Sequence, residues 1–229
     1  MPSTHLKFDA VVFDVGGTLL HTPRDPLQAA LDRILHLGSV SLDAFRVALR
    51  AATTTWREHE YAPEREDLAI TWVQHYERAL RVAQFPGDCA AAARLLEDGF
   101  LIDGWEVFAD AVPILDAVRE RGIRMGVVSN WPPTLEQTLE RAGLHHYFDV
   151  IVSSGVVGFA KPHRRIFEIA AERLGLLPTG VLYVGDDLEH DALGASRAGM
   201  QALLLDRRGR HPSHSPRITH LRMLEAFLA

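Results

Sequence analysis

The segment that most restricts the fold is Phe8–Leu20, FDAVVFDVGGTLL. Its run of β-branched and aromatic apolar residues reads as a buried strand. The run ends on one carboxylate, Asp14. Gly16-Gly17 then breaks the strand and lets the main chain come close to a ligand. Asp14 therefore stands at the carboxyl end of a strand, where open parallel α/β sheets carry their chemistry. The same residues also fit a plain glycine turn capped by Asp14. The downstream chain decides between the two.

After this strand the pattern turns helical from Pro23 to about Phe108. Leu27, Leu31, Ile34 and Leu35 recur at helical spacing behind Asp25-Pro26, and Gly38 closes that helix. Phe45, Leu49, Ala52 and Trp56 mark a second helix. Leu68, Trp72, Tyr76 and Leu80 mark a third, stopped by Pro86-Gly87, and Ala90 to Phe100 form a fourth. Four amphipathic helices with short connections predict a small bundle, with Trp56, Trp72 and Tyr76 in its core. Strand–helix alternation resumes at Asp110. Strands are expected over 123–128, 149–152, 181–184 and 201–205. Helices are expected over 111–121, 132–141, 163–174, 191–198 and 218–228, with a loop over 153–160. Arg207 to Pro216 reads as a solvated loop. Apolar strands separated by helices argue for an α/β fold, a Rossmann-like, doubly wound parallel sheet. The expected core is 1–22 with 109–229, and a helical-bundle cap, 23–108, is inserted after the first strand.

The totals narrow the function. With 229 residues and 47% hydrophobic content the chain can bury a substantial core. Its net charge of −6 gives no overall attraction to nucleic acid or to an anionic membrane. The single cysteine, Cys89, excludes an intramolecular disulfide and fits a reducing compartment. The first residues show no basic-then-apolar leader pattern, and no run of about eighteen apolar residues occurs. A cytoplasmic protein is expected, with a small molecule as its partner.

Three expected strands end in polar residues: Asp14, then Ser129-Asn130, then Asp186-Asp187 with Asp191 close behind. Lys161 lies between the last two groups. Strand ends on one edge of a parallel sheet converge. Carboxylates from two strands suit a hard cation such as Mg²⁺, which prefers oxygen ligands. A lysine and a hydroxyl on the same rim suit a phosphoryl group. Singly, each residue has a duller reading as a cap or a surface charge; the ordered set is more specific.

With Asp14-Val15-Gly16-Gly17-Thr18-Leu19, Val128-Ser129-Asn130, Lys161-Pro162 and Gly185-Asp186-Asp187-Leu188-Glu189-His190-Asp191, the sequence resembles the haloacid dehalogenase-like (HAD) superfamily. The likeness is to the subgroup with a helical cap after the first motif. It implies a Mg²⁺-dependent phosphatase in which Asp14 attacks phosphorus and forms an aspartyl-phosphate. Asp14, Asp186 and the carbonyl of Gly16 would hold the metal, with Thr18, Asp187 and Asp191 in support. Ser129, Asn130 and Lys161 would hold the phosphoryl oxygens. One position departs from the pattern: phosphatases of this kind usually carry a second aspartate where Gly16 stands. Without that acid/base, turnover of alkyl phosphates should be slow. His21, Glu189, His190 or a cap residue could substitute. Arg57, His59, Tyr61 and Arg65 of the cap could meet substrate. The competing expectations are a regulatory protein that only binds metal and phosphate, and a metal-free dehalogenase, which the acidic 185–187 turn disfavours. The phosphate loop of actin-like sugar kinases is set aside, because helices come after the motif.

Overall fold

The computed structural model describes residues 8–22, 26–60, 72–102 and 105–228. Two compact units emerge. One comprises Met1–His21, Glu106–Trp131 and Leu139–Ala229; the other comprises Thr22–Trp105 and Pro132–Thr138. In chain order the α-helices of the described residues are α1 (Pro26–Ile34), α2 (Leu42–Glu60), α3 (Trp72–Val82), α4 (Cys89–Ile102), α5 (Ala111–Glu120), α6 (Leu135–Arg141), α7 (Ser154–Val157), α8 (Arg164–Leu174) and α9 (Gly194–Arg197).

The first unit is built on a six-stranded sheet flanked by helices. Its strands are β1 (Ala10–Phe13), β4 (Arg124–Ser129), β5 (Val150–Ser153), β6 (Val181–Gly185), β7 (Gln201–Leu205) and β8 (Arg217–Ile218), in the spatial order β5-β4-β1-β6-β7-β8. All five neighbouring pairs are parallel. A separate two-stranded ribbon joins β2 (Leu20–His21) to β3 (Glu106–Val107). The α/β, doubly wound expectation is met.

Side chains of the central strands are buried on both faces. Val12, Val128 and Tyr183 pack against Ile166, Phe167, Ala170 and Leu174 of α8. Burial on both faces is why these strands read as continuous apolar runs rather than alternating ones. Register places the chemistry. Phe13 pairs with Val127 on one side and Val184 on the other. Asp14 is thus level with Val128 and Gly185, and Ser129 and Asp186 lie one residue further along on either side.

Within the second unit, α1, α2, α3 and α4 enclose a core that includes Leu31, Ile34, Phe45, Ala52, Tyr76, Leu80 and Leu96. Among the described side chains the expected stripes hold with one exception. Leu35 is 59% exposed, because α1 ends at Ile34 and the next residue leaves the buried face. Leu68, Tyr61 and Arg65 lie outside the described residues, as do the side chains of Trp56, Arg57, His59 and Trp72.

Three local expectations are corrected. The chain end is not an α-helix over 218–228. Arg217–Ile218 adds β8 to the sheet, and Leu221–Phe227 is a 3₁₀-helix. Within that helix the buried Leu221 and Leu224 are three residues apart, the spacing that aligns side chains on a 3₁₀ turn. The 153–160 loop contains one helical turn, α7. The helix expected from 191 starts earlier, as a π-helical stretch over Leu188–Leu193 that continues into α9.

Candidate functional site

The site lies within the first unit, at the carboxyl ends of β1, β4 and β6. Asp14 and Lys161 are buried, each about 5% exposed or less. Oδ1 of Asp14 accepts from Ser129 Oγ at 2.9 Å and from Lys161 Nζ at 2.6 Å. The same ammonium donates to Asp191 Oδ1 at 2.6 Å. Burial alone would lower the Lys161 pKa, but the two carboxylates outweigh it and hold the ammonium charged well above its usual range. The Asp14 pKa is raised as well, which here disfavours the charged form. Burial raises its pKa, the Asp191 charge adds to the rise, and Lys161 offsets only part of it.

Asp186 completes the acidic cluster. Carboxylate oxygens of Asp14, Asp186 and Asp191 lie within 4.8 Å of one another. Burial and the charges of Asp14 and Asp191 push the Asp186 carboxyl up to about 7. Three carboxylates thus face a single buried ammonium among the described residues. The Arg210 guanidinium reaches Asp186 only at 4.0 Å, from a side chain 55% exposed. Gly17, at φ +84°, packs so tightly on Asp186 that an added Cβ would lie 2.6 Å from both carboxylate oxygens. Hard oxygen donors with unbalanced negative charge, crowded by a close main chain, fit a small divalent cation.

The neighbouring aspartates divide the labour. Asp187, not Asp186, caps the turn: its Oδ1 accepts from the N–H groups of Glu189 and His190 and pairs with His190 Nδ1 at 2.9 Å. These bonds, led by that of the imidazole, hold its carboxyl far below the usual range. Main-chain bonds from Asp191 and Ala192 both return to the Asp187 carbonyl. The last of these is an i→i+5 bond, and the turn it widens delivers Asp191 to Lys161; such π turns recur at functional sites. Asp191 Oδ2 also accepts the Asp187 N–H at 2.9 Å.

Asn130 sits beside the cluster, but its carboxamide grips the main chain of Lys161 at both ends. Gly16 is in the turn between Asp14 and β2, bridged to Leu20. Thr18 is fully buried, and its hydroxyl has no hydrogen-bond partner among the described residues. Of the residues named as substitute acids, His21 packs on Phe108 with Glu106 at 4.0 Å, Glu189 pairs with Arg197 at 2.7 Å, and His190 is held by Asp187.

Two residues near the site were not anticipated. Tyr183 places its hydroxyl among Lys161, Asp191 and Val128. A lone hydroxyl-bearing residue in the apolar strand VLYVG was the available signal. Arg207 belongs to the stretch expected to be solvated, yet it turns inward. Its guanidinium makes two 2.9 Å bonds to Asp110, donates to the Thr18 carbonyl at 2.9 Å and lies 3.9 Å over the Phe108 ring.

A carboxylate at a strand end, flanked by hydroxyl, ammonium and two further carboxylates on a parallel sheet, is an arrangement suited to a hydrolase. The family model for haloacid dehalogenase-like hydrolases matches residues 8–199, and the chain belongs to that family. A glyceraldehyde 3-phosphate phosphatase of Methanopyrus kandleri is 40% identical over 111 residues, which cover 48% of this chain and 47% of that protein. The chain thus spans about half the length of that relative. A phosphoserine phosphatase of Thermus thermophilus is 32% identical over 185 residues, covering 78% of this chain and 74% of its own. A solved L-2-haloacid dehalogenase structure superposes with a TM-score of 0.73 at 25% identity, covering 97% of this chain and 99% of that one.

Proposed function

We propose that the protein is a Mg²⁺-dependent phosphatase of a small phosphorylated metabolite, working through an aspartyl-phosphate on Asp14. The observation that carries this is the approach of the Asp14, Asp186 and Asp191 carboxylates within 4.8 Å, with Ser129 and Lys161 bonded to Asp14. So much uncompensated acid beside Asp14 favours a metal-dependent phosphatase over a metal-free dehalogenase.

The Asp14 carboxylate attacks phosphorus, the bond to the leaving oxygen breaks, and its electron pair stays with that oxygen. Water then attacks phosphorus, frees phosphate and restores Asp14. Ser129 and Lys161 hold the phosphoryl oxygens, and the Lys161 charge offsets repulsion between nucleophile and phosphate. Asp14, Asp186 and the Gly16 carbonyl are the proposed holders of Mg²⁺, which when bound supplies charge neutralisation to the phosphoryl oxygens. Asp191 acts through Lys161, Asp187 by shaping the turn, and Thr18 within the nucleophile loop. Asn130 orients Lys161 through its main chain, and any phosphate contact of its own falls to its N–H. Gly16 offers no proton to the leaving oxygen, so aryl and acyl phosphates are turned over faster than alkyl ones.

Residues 23–108 are assigned the role of a substrate-selecting cap, and 1–22 with 109–229 that of the core that carries the chemistry. Phosphatase names among the relatives support the small-molecule reading. No helix among the described residues is long and apolar enough to cross a membrane; with the lone Cys89, a cytoplasmic location is the one proposed. The test is phosphate release from sugar, nucleotide, glycolytic and aryl phosphates with Mg²⁺, against Asp14→Asn. Release by the wild type alone supports the reading. No release from any of them favours the regulatory, binding-only alternative.

A further inference from the structure

We propose that Tyr183 is a positioning residue for Lys161, its buried hydroxyl fixing the ammonium between Asp14 and Asp191. This rests on the reading of Lys161 as the cation that holds the phosphoryl group.

A lysine ammonium has three N–H donors. Nζ of Lys161 has three oxygen partners: Asp14 Oδ1 and Asp191 Oδ1, both at 2.6 Å, and Tyr183 Oη at 3.1 Å. Having accepted from Lys161, the tyrosine hydroxyl retains one proton, with two acceptors for it at 3.0 Å, Asp191 Oδ1 and the Val128 carbonyl. One oxygen therefore ties the ammonium to the end of β4, next to Ser129, and to the residue that closes the 187–191 turn.

The side chain is held for this task. Tyr183 is wholly buried, its strand pairs with β1 at Val12 and with β7 at Ala202, and its ring meets Phe167 edge-on at 5.1 Å. Val181, Leu182 and Val184 around it are apolar. A phenylalanine would satisfy the packing and spare the desolvation of a hydroxyl. The extra oxygen is spent on the ammonium and its carboxylate partner.

Its value lies in the reaction cycle. When Asp14 becomes an acyl phosphate its carboxyl group loses its charge, and its pull on Nζ weakens. Tyr183 is neutral throughout, so it and Asp191 keep the ammonium in place while the Asp14 bond is surrendered. Loss of the hydroxyl should therefore slow the step and spare binding.

The experiment is Tyr183→Phe, with two readouts on folded protein checked by thermal melting. In steady state, kcat falls about tenfold, the scale of one hydrogen bond to a charged group, while KM stays within about twofold. Independently of turnover, the ammonium protons of Lys161, followed by ¹⁵N-edited NMR, exchange with water faster in the variant than in the wild type. Unchanged kcat in an active enzyme, or unchanged proton exchange, overturns the inference. Wild-type protein inactive on every phosphate would overturn the phosphatase reading instead, and the exchange measurement would still decide the role of Tyr183.

Discussion

Asn130 holds Lys161 by its main chain: its Oδ1 accepts the Lys161 N–H at 2.6 Å, and its Nδ2 donates to the Lys161 carbonyl at 2.9 Å. The residue after the β4 serine thus sets where the lysine backbone lies, and Tyr183 and the two aspartates set where its charge lies.

Removing that grip should act through Lys161. Asn130→Ala is expected to lower kcat about tenfold or more, on the scale of two partly buried hydrogen bonds. Asn130→Asp keeps the acceptor but sets a carboxylate oxygen against the Lys161 carbonyl, and should be no better. Steady-state kinetics on an aryl phosphate check both. A fully active Asn130→Asp would show that the paired grip is dispensable.

Gly17→Ala tests the crowding around Asp186. The new methyl would lie 2.6 Å from both carboxylate oxygens, at a φ of +84° that side chains rarely adopt. Asp186 must move, so divalent-cation affinity should fall at least about tenfold, with a strain cost on the order of 1 kcal/mol or more. Calorimetric titration of Mg²⁺ into both proteins reads the first, and thermal melting the second.

These positions differ in how far the sequence announced them. Asp14, Ser129 and Asp186 were legible because each polar residue ends, or directly follows, an unbroken apolar run and parallel strand ends must converge, and Lys161 because it lies between the last two of them, ahead of Pro162 and a helix. The job of the Asn130 carboxamide was not, since a primary amide at a strand end serves a ligand or a neighbouring main chain equally well. Arg207 was hidden because its partners Asp110 and Thr18 lie 97 and 189 residues away. Only the sheet order brings them together. The chain end misled because Ile218, Leu221, Leu224 and Leu228 look helical. Pairing of Arg217–Ile218 with Leu204–Leu205 takes the first of them into the sheet.

Restoring an acid/base should repair the alkyl-phosphate defect. Gly16→Asp is expected to raise kcat on an alkyl phosphate by roughly 10²-fold, the low end of general acid–base catalysis. The gain on an aryl phosphate should be smaller. A folded Gly16→Asp enzyme with unchanged alkyl turnover would contradict this explanation.

The helical unit should carry its own acid sensitivity. Burial, with the Arg78 charge adding to it, lowers the His75 pKa from 6.5 to about 4. The unfolded chain then binds more protons than the folded one between those values, so stability rises with pH across that window and is lost as pH falls through it. The full difference is about 3 kcal/mol. Melting curves at pH 7 and about pH 4 should differ less in His75→Gln than in the wild type; equal differences would remove His75 as the cause.

The most direct test is acid-quenched mass spectrometry of the protein caught during turnover of an aryl phosphate with Mg²⁺. The expected result is one phosphoryl group on the peptide containing Asp14, absent when the metal is chelated and absent in Asp14→Asn. Turnover with no phosphoryl group on that peptide, or turnover that persists in Asp14→Asn, would contradict the account.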